Sequence, residues 1–295
     1  WTNLFSDVFK YYDVKPSIKN YKVNYPVTTY SLIATGWKRV NSGVGSNSVA
    51  ITNYRAYTLD QYKLKNEMHD PRAKKMAELG GFHLFFKTGD LELSLSREVL
   101  QYTKHSVASI EKKLIAIYDE YRTMFLADLT AANATNSLEY RVALRNVSKK
   151  YFSSSYSHIT RNFVDEYIKG NKFNVSFDGI DNFTLSGIDG MNVKAKVARS
   201  GMVKYVTKSF TCWKNYAVRL DSLNKEVTIK IAYLDELKIV RANVRDTDAR
   251  IRHHTKNQSG MMLILPATYN IPADLMKWVT KGSDYEKAPR GPRAP

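Results

Sequence analysis

The sequence predicts an α+β protein, and three observations carry that prediction. From Asp90 to Lys169 there is neither an intervening glycine nor a proline, and apolar residues inside that stretch recur at helical spacing. Before and after it, short apolar runs alternate with turns rich in Gly, Asn and Asp, as strands do. Both ends carry prolines that break regular structure: Pro16 and Pro26 early, and Pro289, Pro292 and Pro295 late. The expected architecture is an extended N-terminal arm and long β-loop, one long spine-like helix, and a mixed, mainly antiparallel β region in the C-terminal half.

Residues 1–48 read as the arm and a first strand. The opening is rich in Tyr and Lys, with a short helix expected at Leu4–Tyr12; Tyr30–Val40 is the strand, and Asn41–Ser48 a flexible loop. Gly43 and Gly45 lack the third glycine and the strand–helix setting of a dinucleotide fingerprint. Residues 49–95 read as a two-stranded extended loop. Val49–Tyr57 is strand-like, Leu59–Gly81 is polar, and Phe82–Phe86 alternates with Leu91–Leu95 about Thr88-Gly89-Asp90 in a hairpin pattern.

Residues 96–170 are the helical region. Val107, Ile110, Leu114, Ile117, Tyr121 and Met124 step by three and four, which places them on one face of a helix. Ser96 suits its N-cap and Glu98 the positive end of its dipole, so the helix is expected over Arg97–Leu129. Asn133–Ser137 interrupts it. Further helices are expected at Leu138–Lys150 and Ser157–Lys169, with Gly170 just past the end of the last. Residues 171–281 form the mixed region: strands at Phe173–Phe177, Val193–Val197, Met202–Val206 and Val227–Tyr233, a helix at Leu234–Val244, and a strand at Met261–Leu265 closed by Pro266. Residues 282–295 have the composition of an extended tail.

A chain of 295 residues can bury enough surface to fold without a disulfide or metal. The lone Cys212 excludes an intrachain disulfide and a thiolate metal cage; beside Phe210 and Trp213 it reads as a small buried hydrophobe. No apolar run approaches the ~18 residues of a membrane span. Asn133, Asn146, Asn174, Asn182 and Asn257 each begin an N-x-S/T pattern, but no secretory leader is visible, and we read the five as chance.

The net charge is +17. Lys and Arg outnumber Asp and Glu 13 to 8 over residues 1–95, 15 to 11 over 96–200, and 17 to 9 over 201–295. An excess spread this way belongs to a folded body, and it attracts polyanions through counterion release whatever their base sequence. Two groups stand out. Arg141, Arg145 and Lys149 recur every four residues on one helical face, with Lys150 beside them. Lys238, Arg241, Arg245, Arg250, Arg252 and Lys256 form the densest positive run. The abundant tyrosines, Tyr11 and Tyr12 among them, suit core and interface packing better than base stacking.

Common enzyme motifs are missing from the sequence: there is no metalloprotease helix motif, no phosphate-binding P-loop and no nucleophile elbow. Asp246 and Asp248 precede His253 and His254, and two carboxylates with two imidazoles could in principle hold a divalent metal for phosphodiester cleavage. Adjacent histidines on a strand would face opposite sides, and Arg250 and Arg252 intervene, so a solvated polar stretch is the preferred reading.

From Val49 to about Ile188 the order of features resembles the major capsid proteins of tailed bacteriophages. Leu91–Leu95 leads into Ser96-Arg97-Glu98-Val99, like that family's strand ending in a Ser-Arg pair that opens a spine helix. The stripe through Ile110, Leu114 and Leu126 follows. Ile159–Ile168 looks like the family's peripheral-domain helix, and Phe173–Phe177 with Asp178–Leu185 like the strand and turn after it. The resemblance implies peripheral and axial domains and no catalytic residues. It also implies subunit contacts from the arm, from the spine and from the loop around Leu59–Gly81. We therefore expect contacts through Tyr11, Tyr12, Arg72, Lys74 and Lys75.

The expected function is a structural coat subunit that assembles with copies of itself into a shell around nucleic acid, located in the virion and built in the host cell interior. No cofactor, metal, membrane or small-molecule substrate is expected. The alternative is a nucleoprotein that coats RNA non-specifically, and a distant third is a metal-dependent nuclease using Asp246, Asp248 and His253.

Overall fold

The computed structural model describes Tyr11 and residues 28–40, 46–152, 158–186, 194–199, 202–206, 218–220, 226–234, 237–254 and 260–286. The expected Leu4–Tyr12 helix, the rest of the arm, Cys212 and the tail beyond 286 lie outside the described residues. What is described is α+β. The chain divides into two compact units: Trp1–Asn133 with Asn146–Lys169, and Ala134–Arg145 with Gly170–Pro295.

The first unit carries a five-stranded sheet. Its strands are β1 (Tyr30–Ala34), β2 (Trp37–Val40), β3 (Val49–Thr52), β4 (Arg55–Thr58) and β5 (Phe82–Phe85), in the order β1-β2-β5-β3-β4. All neighbours are antiparallel except β3 and β5. Tyr30–Val40, expected as one strand, is a hairpin: Thr35-Gly36 turns the chain, with Gly36 at φ +82°. Asn53 and Tyr54, at φ 49° and 63°, make the two-residue turn between β3 and β4. Positive φ at both positions matches the twist of the flanking strands.

The polar stretch expected as extended loop is instead two helices, α1 (Gln61–Glu67) and α2 (Pro71–Leu79). The physical reason lies in their caps. The Asp60 carboxylate accepts from Tyr62 N and Lys63 N, the Asp70 carboxylate accepts from Arg72 N, and Pro71 sits where a helix needs no N–H. Leu64, Met68, Ala73, Met76, Ala77 and Leu79 are buried beneath the polar faces. Gly80 ends α2 at φ +67°, and a Cβ there would lie 2.1 Å from the Ser46 carbonyl oxygen.

The long helix α3 runs over Lys104–Ala131, with Thr103 as its cap, not Ser96. Its buried face, Val107, Ile110, Leu114, Ile117, Tyr118, Tyr121, Phe125 and Leu129, continues the stripe legible in the sequence. The Ser96-Arg97 pair does not open this helix. Ser94 takes the backbone donors instead: its carbonyl accepts from Arg97 N, and its hydroxyl from Glu98 N and Val99 N. Such local bonding competes with a helical start. Arg97 turns at φ 56°, and Leu93 and Leu100 pair across the base of the tip. Leu91–Leu95 accordingly makes no hairpin with β5, whose two edges are taken by β2 and β3.

Helix α4 (Ser137–Phe152) contributes Asn146–Phe152 to this unit, and α5 (His158–Ile168) completes it. Around α3, Trp37, Phe82, Tyr121, Phe125, Tyr151, Phe152, Phe163 and Tyr167 meet largely edge to face, with centroids 5.2–6.4 Å apart.

The second unit holds two sheets. Strands β6 (Asn182–Leu185), β9 (Val218–Leu220) and β10 (Val227–Lys230) form an antiparallel sheet in the order β6-β10-β9. The other has five strands: β7 (Lys194–Arg199), β8 (Met202–Val206), β11 (Leu237–Ala242), β12 (Gly260–Pro266) and β13 (Val279–Lys281), ordered β13-β11-β12-β7-β8. Here β11 is parallel to both neighbours, and α6 (Thr247–His254) connects it to β12 in a βαβ crossover.

Leu237–Ala242 thus corrects the helix expected at Leu234–Val244. Ile239 packs on one face with Leu263, Leu265 and Leu275; Val240 packs on the other with Ile251, Met262 and Ile264. A parallel strand buried on both faces shows no alternation, so its sequence resembles a short apolar helix segment. Phe173–Phe177 is also not a strand. The Asn171 side chain accepts from Phe173 N and Val175 N, Asn174 turns at φ 50°, and a 3₁₀ turn follows at Phe177–Ile180.

Candidate nucleic-acid interface

Of the basic residues singled out in the sequence, Arg141 and Arg145 have the most distinctive setting. They lie one turn apart on the part of α4 that belongs to the second unit, where Leu138 and Val142 anchor the helix in the core. Both side chains are half-buried, and the Nε of each is buried without a hydrogen-bond partner among the described residues. The nearest acid in sequence is already engaged: Glu139 accepts from Thr135 N and Thr135 Oγ1 and pairs with Lys277 at 3.2 Å. Those bonds hold the Glu139 carboxyl below its ordinary range, first through the Thr135 amide. Two guanidinium groups are left without an anionic partner among the described residues, and planar donor forks of this kind suit phosphate oxygens.

Lys149 and Lys150 belong to the first unit and differ from each other. Lys149 is exposed and unpaired among the described residues. Lys150 donates to Asp128 at 2.6 Å, with the Tyr151 hydroxyl on the same carboxylate at 2.8 Å. The Lys150 ammonium holds the Asp128 carboxyl below its ordinary range.

The described members of the dense run near the C-terminus do not share one face. Lys238 lies on the Val240 side of β11 and is exposed, whereas Arg241 projects from the opposite side and donates to the Ala267 carbonyl at 2.9 Å. Arg245 is exposed and unpaired among the described residues. Arg250 is largely buried: its Nε donates to Asp246 at 2.9 Å and its Nη1 to the Tyr285 carbonyl at 2.8 Å. Arg252 is on α6, its side chain outside what is described, and Lys256 lies outside the described residues altogether.

His253 and His254 also sit on α6, not on a strand. Asp246 is engaged by Arg250, His253 is exposed, and among the described residues no group of three or more His, Cys, Asp or Glu converges as metal ligands would. No helix among the described residues is long and apolar enough to cross a membrane.

The residues expected to touch neighbouring subunits are partly occupied within the first unit. Arg72 pairs with Asp70 at 2.8 Å and Asp119 at 3.3 Å, and Lys75 with Glu166, so both fasten α2 to the helices beside it. Lys74 is half-buried. The Tyr11 ring meets His83 edge-on at 5.5 Å; Tyr12 is outside the described residues.

Two features of the first unit were not legible in the sequence. One is a groove of about 360 Å³ along α3, with Trp37, Phe86 and Ile117 as its apolar lining and Lys112, Lys113 and Glu120 among its charged residues. The Trp37 indole donates to Glu120 at 2.7 Å. Lys113 donates to the Phe85 carbonyl and lies 4.9 Å from the Phe86 ring centre; burial pushes its ammonium pKa down, against the pull of Asp90 and Glu120. The other is the tip at 94–99, where Leu95 is fully exposed and Val99 is 62% exposed. Compared with known proteins, the chain matches no family model, no curated protein and no solved structure.

Proposed function

We propose that this chain is a structural, non-enzymatic subunit that assembles with copies of itself around nucleic acid, a coat subunit of the phage-capsid kind. The observation that carries the reading is the pair Arg141 and Arg145, two half-buried arginines one helical turn apart, each with a buried, unbonded Nε and no carboxylate against it among the described residues. Burying a cation without a counter-charge costs stability. A phosphate backbone supplies that counter-charge without asking for a base sequence. The net charge of +17, with Lys238 and Arg245 exposed and unpaired among the described residues, adds a long-range attraction of the same sign.

Self-association is the second half of the proposal, supported by an exposed apolar tip closed by its own backbone hydrogen bonds. The test has two arms. Binding to short duplex and single-stranded oligonucleotides is measured over a salt series, where log affinity should fall linearly with log salt. Size-exclusion chromatography and negative stain then look for rings, shells or filaments. A protein that stays monomeric with nucleic acid present, or that binds none at low salt, removes the reading.

A further inference from the structure

We infer that the tip at 94–99 is a knob that docks into the α3 groove of a second copy of this chain; the inference rests on the self-assembly reading above. The knob is built, not loose. Ser94 N donates to Val99 O at 2.9 Å and Gln101 N to Glu92 O at 2.9 Å, while Ser94 gathers the amides of Arg97, Glu98 and Val99. Tyr57 donates its hydroxyl to the Arg97 carbonyl at 2.9 Å and fixes the tip to β4. This frame holds Leu95 and Val99 in water although Arg97 must adopt φ 56°, a conformation that costs a non-glycine residue energy. An ordered loop that exposes two aliphatic side chains has little conformational entropy left to lose on docking, which favours association.

The groove offers the complement. Phe86 and Ala116 give it an accessible apolar lining, floored by the buried Trp37 and Ile117, of a size that accepts side chains of this kind. Its charges match as well. The knob presents Arg97 and Glu98 side by side, both exposed, and the groove presents Glu120 and Lys112, also both exposed, beside the half-buried Asp90 and Lys113. Opposed pairs of both signs orient the contact and reject a reversed docking. Leu95 is fully exposed, so the knob does not occupy its own groove. Knob and groove are different patches of one molecule, so each copy uses its knob on one neighbour and receives another knob in its groove. A head-to-tail contact of this type propagates into a ring, shell or filament and does not stop at a symmetric dimer.

The test is sedimentation velocity over a concentration series, with circular dichroism to check that each variant is folded. Leu95→Asp removes the knob and Ala116→Arg fills the groove; both positions are exposed, so the fold should stand. Each should weaken association at least tenfold. An equimolar mixture of the two should form a one-to-one pair and nothing larger, because a single intact knob faces a single intact groove. Glu98→Lys and Lys112→Glu should each weaken association, and the chain carrying both should recover it. Association undiminished by Leu95→Asp overturns the knob-and-groove contact and leaves self-assembly standing. A wild-type chain that remains monomeric at every concentration overturns both.

Discussion

Arg39 donates from Nη1 to the Tyr121 hydroxyl at 2.6 Å, deep in the first unit, and no carboxylate among the described residues pairs with it. The same nitrogen reaches the Tyr151 carbonyl, which also accepts from the Tyr121 hydroxyl. Nε and Nη2 have no hydrogen-bond partner among the described residues, and the guanidinium carbon lies 5.8 Å from the ring centres of Phe82 and Tyr121. Ring faces offset part of the desolvation of a buried cation, but they do not bond its remaining N–H groups.

Arg39→Met should therefore stabilise the protein by about 1–3 kcal/mol, because it removes a buried charge and two orphaned donors while keeping the volume filled. The Tyr151 carbonyl keeps the Tyr121 hydroxyl as a donor. Arg39→Ala, which leaves a void, should instead cost about 2 kcal/mol. Urea denaturation of the three proteins decides it, and a methionine variant less stable than wild type would show that the guanidinium stabilises the core.

Gly80→Ala should destabilise by about 2–4 kcal/mol, since the new methyl would meet the Ser46 backbone oxygen in a left-handed conformation. The thermal midpoint measures this. A change within experimental error would mean that the backbone at Ser46, which bridges to Gly80, can move aside.

Single alanine variants should sort the basic residues by their partners. Arg141→Ala, Arg145→Ala and Arg245→Ala should each reduce the salt slope of nucleic-acid binding by about one while leaving stability at or above that of wild type. Arg250→Ala should do the reverse, because it breaks the bonds to Asp246 and the Tyr285 carbonyl in a largely buried place. Equal effects on binding from all four would contradict the assignment.

Acid should loosen the first unit through Asp128 and Asp70. The Lys150 hydrogen bond lowers the Asp128 pKa from its ordinary 3.8, and the Arg72 hydrogen bond does the same for Asp70. A carboxyl whose folded value is depressed contributes stability that is fully present above 3.8 and is lost as pH falls through the folded value. The denaturation midpoint should be flat from about pH 7 to 5 and fall below about 4. Asp128→Asn should remove part of that acid sensitivity; an unchanged acid slope would exclude the Lys150–Asp128 pair as its source.

The helical stripe through Val107, Ile110, Leu114, Ile117 and Tyr121 was legible because burial of one face imposes a local period of three and four on the sequence. Its starting point was not. Ser96 and Thr103 are both acceptable caps, and only the pairing of Leu93 with Leu100 and the local bonds of Ser94 decide between them. Likewise Asp60 and Asp70-Pro71 carried helix-start signals within a stretch whose polarity suggested loop. In β11 the apolar run Leu237, Ile239 and Val240 could be a strand or a helix until strands β12 and β13 closed on either side.

The same division applies to charge. Composition by itself determined that the chain is strongly cationic and that the excess is distributed along it, because net charge is a sum over residues and needs no coordinates. Which cations remain available was decided by the tertiary structure. Lys150 and Arg250 meet carboxylates, the first from 22 residues away in the chain, while Arg141 and Arg145 meet none among the described residues. The knob and the groove belong to this second category, since exposure of Leu95 and Val99 and enclosure by Trp37, Phe86 and Ile117 arise from long-range packing that no local period encodes.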